Sequence, residues 1–231
     1  MIALLKDLIY LLYPDVCSCC GNSLVNQEDH ICTNCLIHLP KTNFHKYEDN
    51  PLNRIFYGRV PLFSAASYLH YSKKGRVQRL IHQFKYKGER ELGQILGRYY
   101  GRELIESPLF NTCSGIIPVP LHENKLRKRG FNQSELIARG LSESMNIPVI
   151  SDNLFRQSYT PTQTRKSKFE RWKNVEETFV LKNPDALTNQ HLLLVDDVIT
   201  TGATIEACAS SLLKVNNVNV SVISLAVPLL Q

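Results

Sequence analysis

Four apolar residues, Leu192 to Val195, run directly into Asp196, Asp197, Val198, Ile199, Thr200, Thr201, Gly202, Ala203 and Thr204. A helix that starts in such a turn leaves its first backbone N–H groups without intrahelical partners, and these attract an anion. Hydroxyls and a glycine open to close approach complete a phosphate cradle. The two preceding carboxylates suit the hydroxyls of a ribose, or a hard cation such as Mg2+. Together they predict a site for a sugar 5′-phosphate. The run contains neither a GxxxxGK[ST] loop nor a GxGxxG fingerprint. The plainer alternative is an ordinary helix N-cap with acids nearby.

The second chemical constellation is sulfur. Of 7 cysteines, five lie between positions 17 and 35. Cys17-x-x-Cys20 and Cys32-x-x-Cys35 form two pairs at the spacing that brings four thiolates around one tetrahedral ion, and Gly21 permits the tight turn after the first pair. The competing readings are two disulfides or a redox pair; a chain without an export signal keeps its thiols reduced, and redox exchange needs a single pair. We expect a structural Zn2+ on Cys17, Cys20, Cys32 and Cys35, closed to catalysis because no coordination position is left open. Cys19 is expected to be a spare thiol, and Cys113 and Cys208 core residues.

The elements that must carry these groups follow from periodicity. The apolar opening MIALLKDLIYLLYP is interrupted by Lys6 and Asp7, lacks a small-residue cleavage site and is too short to span a bilayer, so it reads as an amphipathic helix of a cytoplasmic protein. No later stretch predicts a membrane span. Residues 1–58 carry four Lys/Arg against six Asp/Glu, whereas the whole chain is +6, so the remainder is basic and suited to anionic partners. We divide the chain into 1–45 (amphipathic helix and zinc ribbon), 46–60 (a polar linker broken by Pro51 and Gly58) and 61–231. In the last part SAASYLHYS, SGIIPVP, IPVISDNLF, TFVL, HLLLVDDV and NVNVSVISLAV read as strands. Helices are read over RVQRLIHQFKYK, ERELGQILGRYYGRELI, FNQSELIARGLSESM and ATIEACASSLLKV. Gly93, Gly97 and Gly101 fall on one helix face and predict close packing. The alternation predicts an α/β fold, a mostly parallel sheet flanked by helices, with ligands at the carboxyl ends of the strands.

The run VDDVITTGAT resembles the phosphoribosyl pyrophosphate (PRPP) motif of type I phosphoribosyltransferases. PVPLHENKLRKRGFNQSELIARGL resembles the PVPLH…RxRGFNQ signature of the ComF family, and FKYKGERELGQILG its KYxGxxxL segment; the paired CxxC motifs are characteristic of it too. The resemblance covers nearly the whole chain, with its blocks in the family's order. It implies a type I phosphoribosyltransferase-like domain preceded by a small zinc ribbon, a link to DNA uptake in natural transformation or to DNA utilisation, and binding of PRPP with Mg2+. Position by position, Asp196 and Asp197 would contact the ribose hydroxyls and Thr200, Thr201, Gly202, Ala203 and Thr204 would wrap the 5′-phosphate. Pro118, Val119 and Pro120 would lie at the pyrophosphate.

Transfer of the sugar builds positive charge at the anomeric carbon and negative charge on the leaving group, which cations stabilise. Lys125, Arg127, Lys128 and Arg129 are placed to supply such charge, Arg129 foremost; the alternatives are a solvated basic loop or a nucleic-acid contact. SYTPTQTRKSKFERWKNVEETF resembles the family's TxxQTxxxxxxRxxNVxxxF pattern through Thr160, Gln163, Thr164, Arg171, Asn174, Val175 and Phe179, a region that includes a mobile flap in phosphoribosyltransferases. Arg165, Lys166, Lys168, Arg171 and Lys173, with Phe169 and Trp172, also suit single-stranded DNA, or form a basic amphipathic helix with a buried face. Among the histidines only His122 falls near the expected site. Two functions follow: a phosphoribosyltransferase of unspecified acceptor, with Asp196, Asp197 and Arg129 in catalytic roles, or a non-catalytic adaptor that handles single-stranded DNA and docks a helicase partner through its zinc ribbon.

Overall fold

The computed structural model describes residues 14–25, 27–73, 75–86, 88–157 and 179–229. The amphipathic helix expected at the amino terminus and the flap pattern up to Val175, including Arg165, Lys166, Lys168, Phe169, Arg171, Trp172 and Lys173, lie outside these residues. The apolar runs form β1 (Ser64–Tyr71), β2 (Gly115–Pro118), β5 (His191–Val198) and β6 (Asn219–Pro228), and these build a parallel 4-stranded sheet in the order β1-β6-β5-β2. Strands such as β5 and β6 are rich in Val, Ile and Leu and buried at successive positions because a parallel sheet is covered on both faces. Register sets Leu192 beside Val220 and Pro118 beside Val195, so β5 runs three residues past the end of β2, carrying Asp196 and Asp197 beyond it.

The strand expected over IPVISDNLF is shorter than its apolar content suggests. Val149 makes only a parallel bridge to Ile116. Asn153 then turns the chain: its amide donates to Asn183 O (2.7 Å) and its Oδ1 accepts from Asn183 N (2.9 Å). That clamp starts a separate antiparallel pair, β3 (Leu154–Arg156) with β4 (Phe179–Leu181).

Helices cover the sheet. In α3 (Arg76–Tyr86) the buried residues Val77, Leu80, Ile81 and Phe84 follow helical spacing. The long helix α4 (Arg90–Ile105) crosses α6 (Gln133–Met145) at very short range. A methyl added at Gly97 would stand 3.2 Å from the backbone carbonyl carbon of Ile137, and one at Gly101 2.9 Å from Ser144 Cβ. The expected glycine face is therefore a seam where two helix backbones touch, and Gly140 answers it from α6 against the backbone of Gln94 and Arg98. α6 in turn packs on β2 and β5, while α7 (Ala203–Leu212) lies against β4, β5 and β6.

The amino-terminal part docks onto this body. A one-turn helix, α1 (Thr33–Ile37), is capped by Cys32 and carries Cys35 of the second pair, and His30 sits between Glu89 and Glu91 at 2.8 Å from each. Arg79 donates to Cys20 O (2.9 Å). Within the stretch 46–60, Asn50 caps α2 (Pro51–Phe56) by accepting from Leu52 N (2.9 Å) and Asn53 N (3.0 Å), and its amide donates to Ala65 O of β1 (2.9 Å). Leu52 and Phe56 are buried in the common core. No helix among the described residues is long and apolar enough to cross a membrane.

Candidate functional site

The four paired cysteines converge. Their Sγ atoms all lie within 4.8 Å of one another, and Cys20 Sγ stands 3.8 Å from Cys32 Sγ. Sulfurs at the corners of a tetrahedron about 2.3 Å from its centre would be spaced at close to that latter distance, so the set fits a single thiophilic ion. Each pair is shaped by its own turn. Cys17 O accepts from Gly21 N (2.8 Å), with Gly21 at φ +86°, and Cys32 Sγ accepts from Cys35 N (3.4 Å). Cys17 Sγ accepts from Cys32 N (3.3 Å). Burial pushes the Cys17 thiol up, but the backbone donors of Cys32, Cys20 and Cys19 outweigh it and hold it at about 7. Burial, and then its sulfur neighbours, push Cys35 far up: four ionised sulfurs this close need a cation between them. These residues could hold a metal ion, and no other such cluster occurs among the described residues. Cys19, Cys113 and Cys208 are buried outside the set, as expected.

The second site forms at the carboxyl ends of β2 and β5. Asp196 and Asp197 stand in the last three residues of β5, past the end of β2, both half-buried. Asp196 Oδ1 accepts from the Ser134 hydroxyl (3.1 Å) and from Asp197 N (2.8 Å). Asp197 Oδ2 meets Lys85 Nζ at 2.8 Å, an ion pair whose side chains are only 18% and 13% exposed. Burial, and then the negative charge of Asp197, push the Asp196 carboxyl up to about 7. One acid is thus held by an ammonium and the other is close to sharing a proton at neutral pH.

After Ile199 N has donated to Ala226 O (3.1 Å), the chain turns away from the sheet. The N–H groups of Thr200, Thr201 and Gly202 meet no acceptor among the described residues, and Ala203 N has only the Thr201 hydroxyl at 3.5 Å. Gly202 adopts φ +78° as the N-cap of α7. A Cβ there would stand 2.8 Å from Phe56 Cε1, so both conformation and space demand glycine. Thr200, Thr201, Ala203 and Thr204 are exposed. The loop thus leaves N–H groups without acceptors among the described residues at a helix start, just beyond a pair of acids, an arrangement that could receive an oxyanion.

Three supporting side chains escaped the reading of the sequence. Lys85 lay inside the KYKG block and Ser134 directly after RGFNQ, so each was in sight without a role. Arg59, in the stretch read as a linker, donates to Thr201 O (2.9 Å) and to Glu206 of α7 (Nε, 3.0 Å), bracing the turn from behind. Of the residues expected at the pyrophosphate, Pro118 and Pro120 have no N–H and Val119 N donates to Val195 O (2.9 Å), while Val119 O accepts from Asn132 (3.1 Å). The segment lies beside the acids, yet its backbone offers an anion no donor.

The basic run Lys125 to Arg129 lies in a short helix, α5 (Glu123–Arg129), none of whose residues is buried. His122 serves as its cap, accepting from Asn124 N (3.2 Å). Arg129 alone turns inward, donating to Gln133 Oε1 (2.9 Å) and Tyr86 OH (3.3 Å) with its guanidinium over the Tyr86 ring, next to Lys85. Gln133 Nε2 is buried with no partner among the described residues.

The class that fold and site define is therefore a parallel α/β sheet flanked by helices, with an anion-ready turn after paired acids and a cysteine cluster near the amino terminus. No family model matches the chain. It is 29% identical over 202 residues to the DNA utilization protein YhgH of Escherichia coli O157:H7, covering 86% of this chain and 84% of that one. It is 29% identical to the competence protein ComFC of Bacillus subtilis (89% and 82% covered), and 31% identical to competence protein F of Haemophilus influenzae (64% and 66%). These relatives, matched over most of the chain, support its resemblance to the ComF family. Similar solved structures include the glutamine PRPP amidotransferase of B. subtilis (17% identity, 62% of this chain and 30% of that one, TM-score 0.42). Another is the adenine phosphoribosyltransferase of Saccharomyces cerevisiae (14% identity, 62% and 72%, TM-score 0.35).

Proposed function

We propose that this protein binds PRPP, with Mg2+ carried on the ligand's diphosphate, and works in the uptake or utilisation of DNA as its named relatives do. The observation that carries the reading is the turn 200–203, just beyond Asp196 and Asp197, where the N–H groups of Thr200, Thr201 and Gly202 have no acceptor among the described residues. A 5′-phosphate on that turn would bring the ribose diol to the acids, and Lys85, paired with Asp197, and Arg129, held on Tyr86, would be the cations available to a diphosphate. Ser134 would orient Asp196 and Arg59 would keep the turn open. If the sugar is transferred, Asp196 and Asp197 hold the hydroxyls while positive charge grows at the anomeric carbon, and Arg129 is a cation that could serve the leaving diphosphate.

One observation favours the second reading, a non-catalytic adaptor that senses PRPP while handling single-stranded DNA with a helicase-type partner. The Pro118-Val119-Pro120 backbone has no free donor for a leaving diphosphate, so grip on the sugar phosphate does not by itself imply turnover. On either reading the cysteine cluster holds a structural Zn2+, closed by four thiolates.

The test is thermal unfolding with PRPP and Mg2+. A ligand bound only by the native state raises the melting temperature. We expect that rise in the wild type and its loss in Asp196→Ala/Asp197→Ala. An equal rise in the double variant, or none in the wild type, refutes the site; release of pyrophosphate with any of a panel of nucleobases decides for the enzyme.

A further inference from the structure

We propose that Lys85 takes, at the acid pair, the place that a divalent cation would otherwise fill, so that Asp196 and Asp197 grip sugar hydroxyls without a metal ion of their own. The inference rests on the sugar-phosphate reading and concerns how that site neutralises itself. Two adjacent carboxylates in a half-buried position repel each other and cannot both stay ionised without a counter-charge. Two counter-charges are chemically open to such a pair: a hard cation with oxygen ligands, or a side-chain ammonium.

The geometry selects the ammonium. Lys85 Nζ sits 2.8 Å from Asp197 Oδ2, with both side chains largely screened from water. It comes from the last turn of α3, where the helix's negative end favours a cation. Asp196 Oδ1 already accepts from Ser134 and from Asp197 N. Magnesium asks for near-octahedral oxygens at about 2.0–2.1 Å and keeps several waters, so it could reach Asp197 Oδ2 only by evicting Lys85. Asp196 Oδ2 and Asp197 Oδ1 are left: neither takes a hydrogen bond among the described residues. Two free carboxylate oxygens on neighbouring residues match the two hydroxyls of a ribose. Lys85 is accordingly a positioning residue, holding Asp197 ionised and aimed.

Ribose 5-phosphate is the probe, because it has the diol and the phosphate but no diphosphate to bring magnesium with it. Its binding is measured by calorimetry on the full chain in buffer without added divalent cation and again with Mg2+, for the wild type, Lys85→Met and Lys85→Arg. The wild type and Lys85→Arg should bind equally in both buffers. Lys85→Met should bind at least roughly tenfold more weakly without Mg2+ and recover when it is added, a split that mere loss of packing would not produce. Wild-type binding that requires Mg2+ overturns the inference, with no variant needed, while leaving the sugar-phosphate site standing. Lys85→Met binding as tightly as wild type in the metal-free buffer overturns it as well. Absence of binding to the wild type in both buffers overturns the sugar-phosphate reading itself and this inference with it.

Discussion

Replacing Gly140 by alanine separates two opposing effects of the same methyl group. Inside a helix, alanine is favoured over glycine by about 1 kcal/mol, so propensity alone predicts a more stable protein. At the α4–α6 seam the added Cβ would stand 2.8 Å from the carbonyl carbon of Gln94 and 2.9 Å from Arg98 N, with the Gln94 oxygen closer still. These are backbone atoms and no rotamer change relieves them, so the helices must part by something on the order of 1 Å. That loosens the contacts of Gly97 and Gly101 along the same seam. Overpacking of this kind costs about 1–3 kcal/mol, and the upper end applies where backbone meets backbone. Set against the propensity gain, we expect a net loss of about 2 kcal/mol, or roughly 4–8 °C in melting temperature for a chain of this size. Guanidinium and thermal unfolding of Gly140→Ala beside Arg139→Ala, an exposed change on the same helix, measure it. A melting temperature unchanged or raised by Gly140→Ala would refute the close-approach seam. Since α6 carries Ser134 to Asp196, the variant should also bind PRPP more weakly.

The Asp196 carboxyl is pushed up to about 7 in the fold, so the native state holds a proton that the unfolded chain has released above its ordinary value of 3.8. Stability tied to this group is present at acid pH and falls as pH rises toward and through about 7. Asp196→Asn should flatten that decline in denaturation curves between pH 4 and 8, and a decline of unchanged slope would contradict the assignment. Valine at position 202 must adopt positive φ against the Phe56 ring; beyond a strain of about 1–2 kcal/mol it should abolish the PRPP-dependent rise in melting temperature, and a surviving rise in Gly202→Val would count against the turn. Elemental analysis should find about one zinc per chain, lost in Cys17→Ser and kept in Cys19→Ser; equal zinc in the two variants would mean that the four-sulfur set is wrongly drawn.

Much of this was legible in the sequence because the chemistry is local. The acids and the turn occupy nine consecutive residues, the cysteines form two short pairs, and β5 and β6 are long apolar runs with few ways to sit in a sheet. What escaped has specific causes. Asn50-Pro51, an N-cap followed by a proline at the first helical position, announces α2, but the polarity around it hid Leu52 and Phe56. α5 buries no residue, so it has no hydrophobic period to read. The break after Val149 depends on Asn153 clasping Asn183, a pairing invisible until both strands of the small hairpin are placed. Lys85 meets Asp197 only because α3 ends where β5 does, and Arg59 meets Thr201 only because α2 returns the chain to the base of the turn. Such contacts are products of topology. Composition and spacing name the residues that carry the chemistry, whereas the fold decides which of their neighbours hold them ready.

The most direct test of the central claim is to watch the amides themselves. Backbone 1H–15N spectra of the 15N-labelled protein, titrated with PRPP and Mg2+, should move the Thr200, Thr201, Gly202 and Ala203 signals first and farthest, with Asp196 and Asp197 following. Resonances of that turn that stay in place at saturating ligand, while others shift, would contradict it.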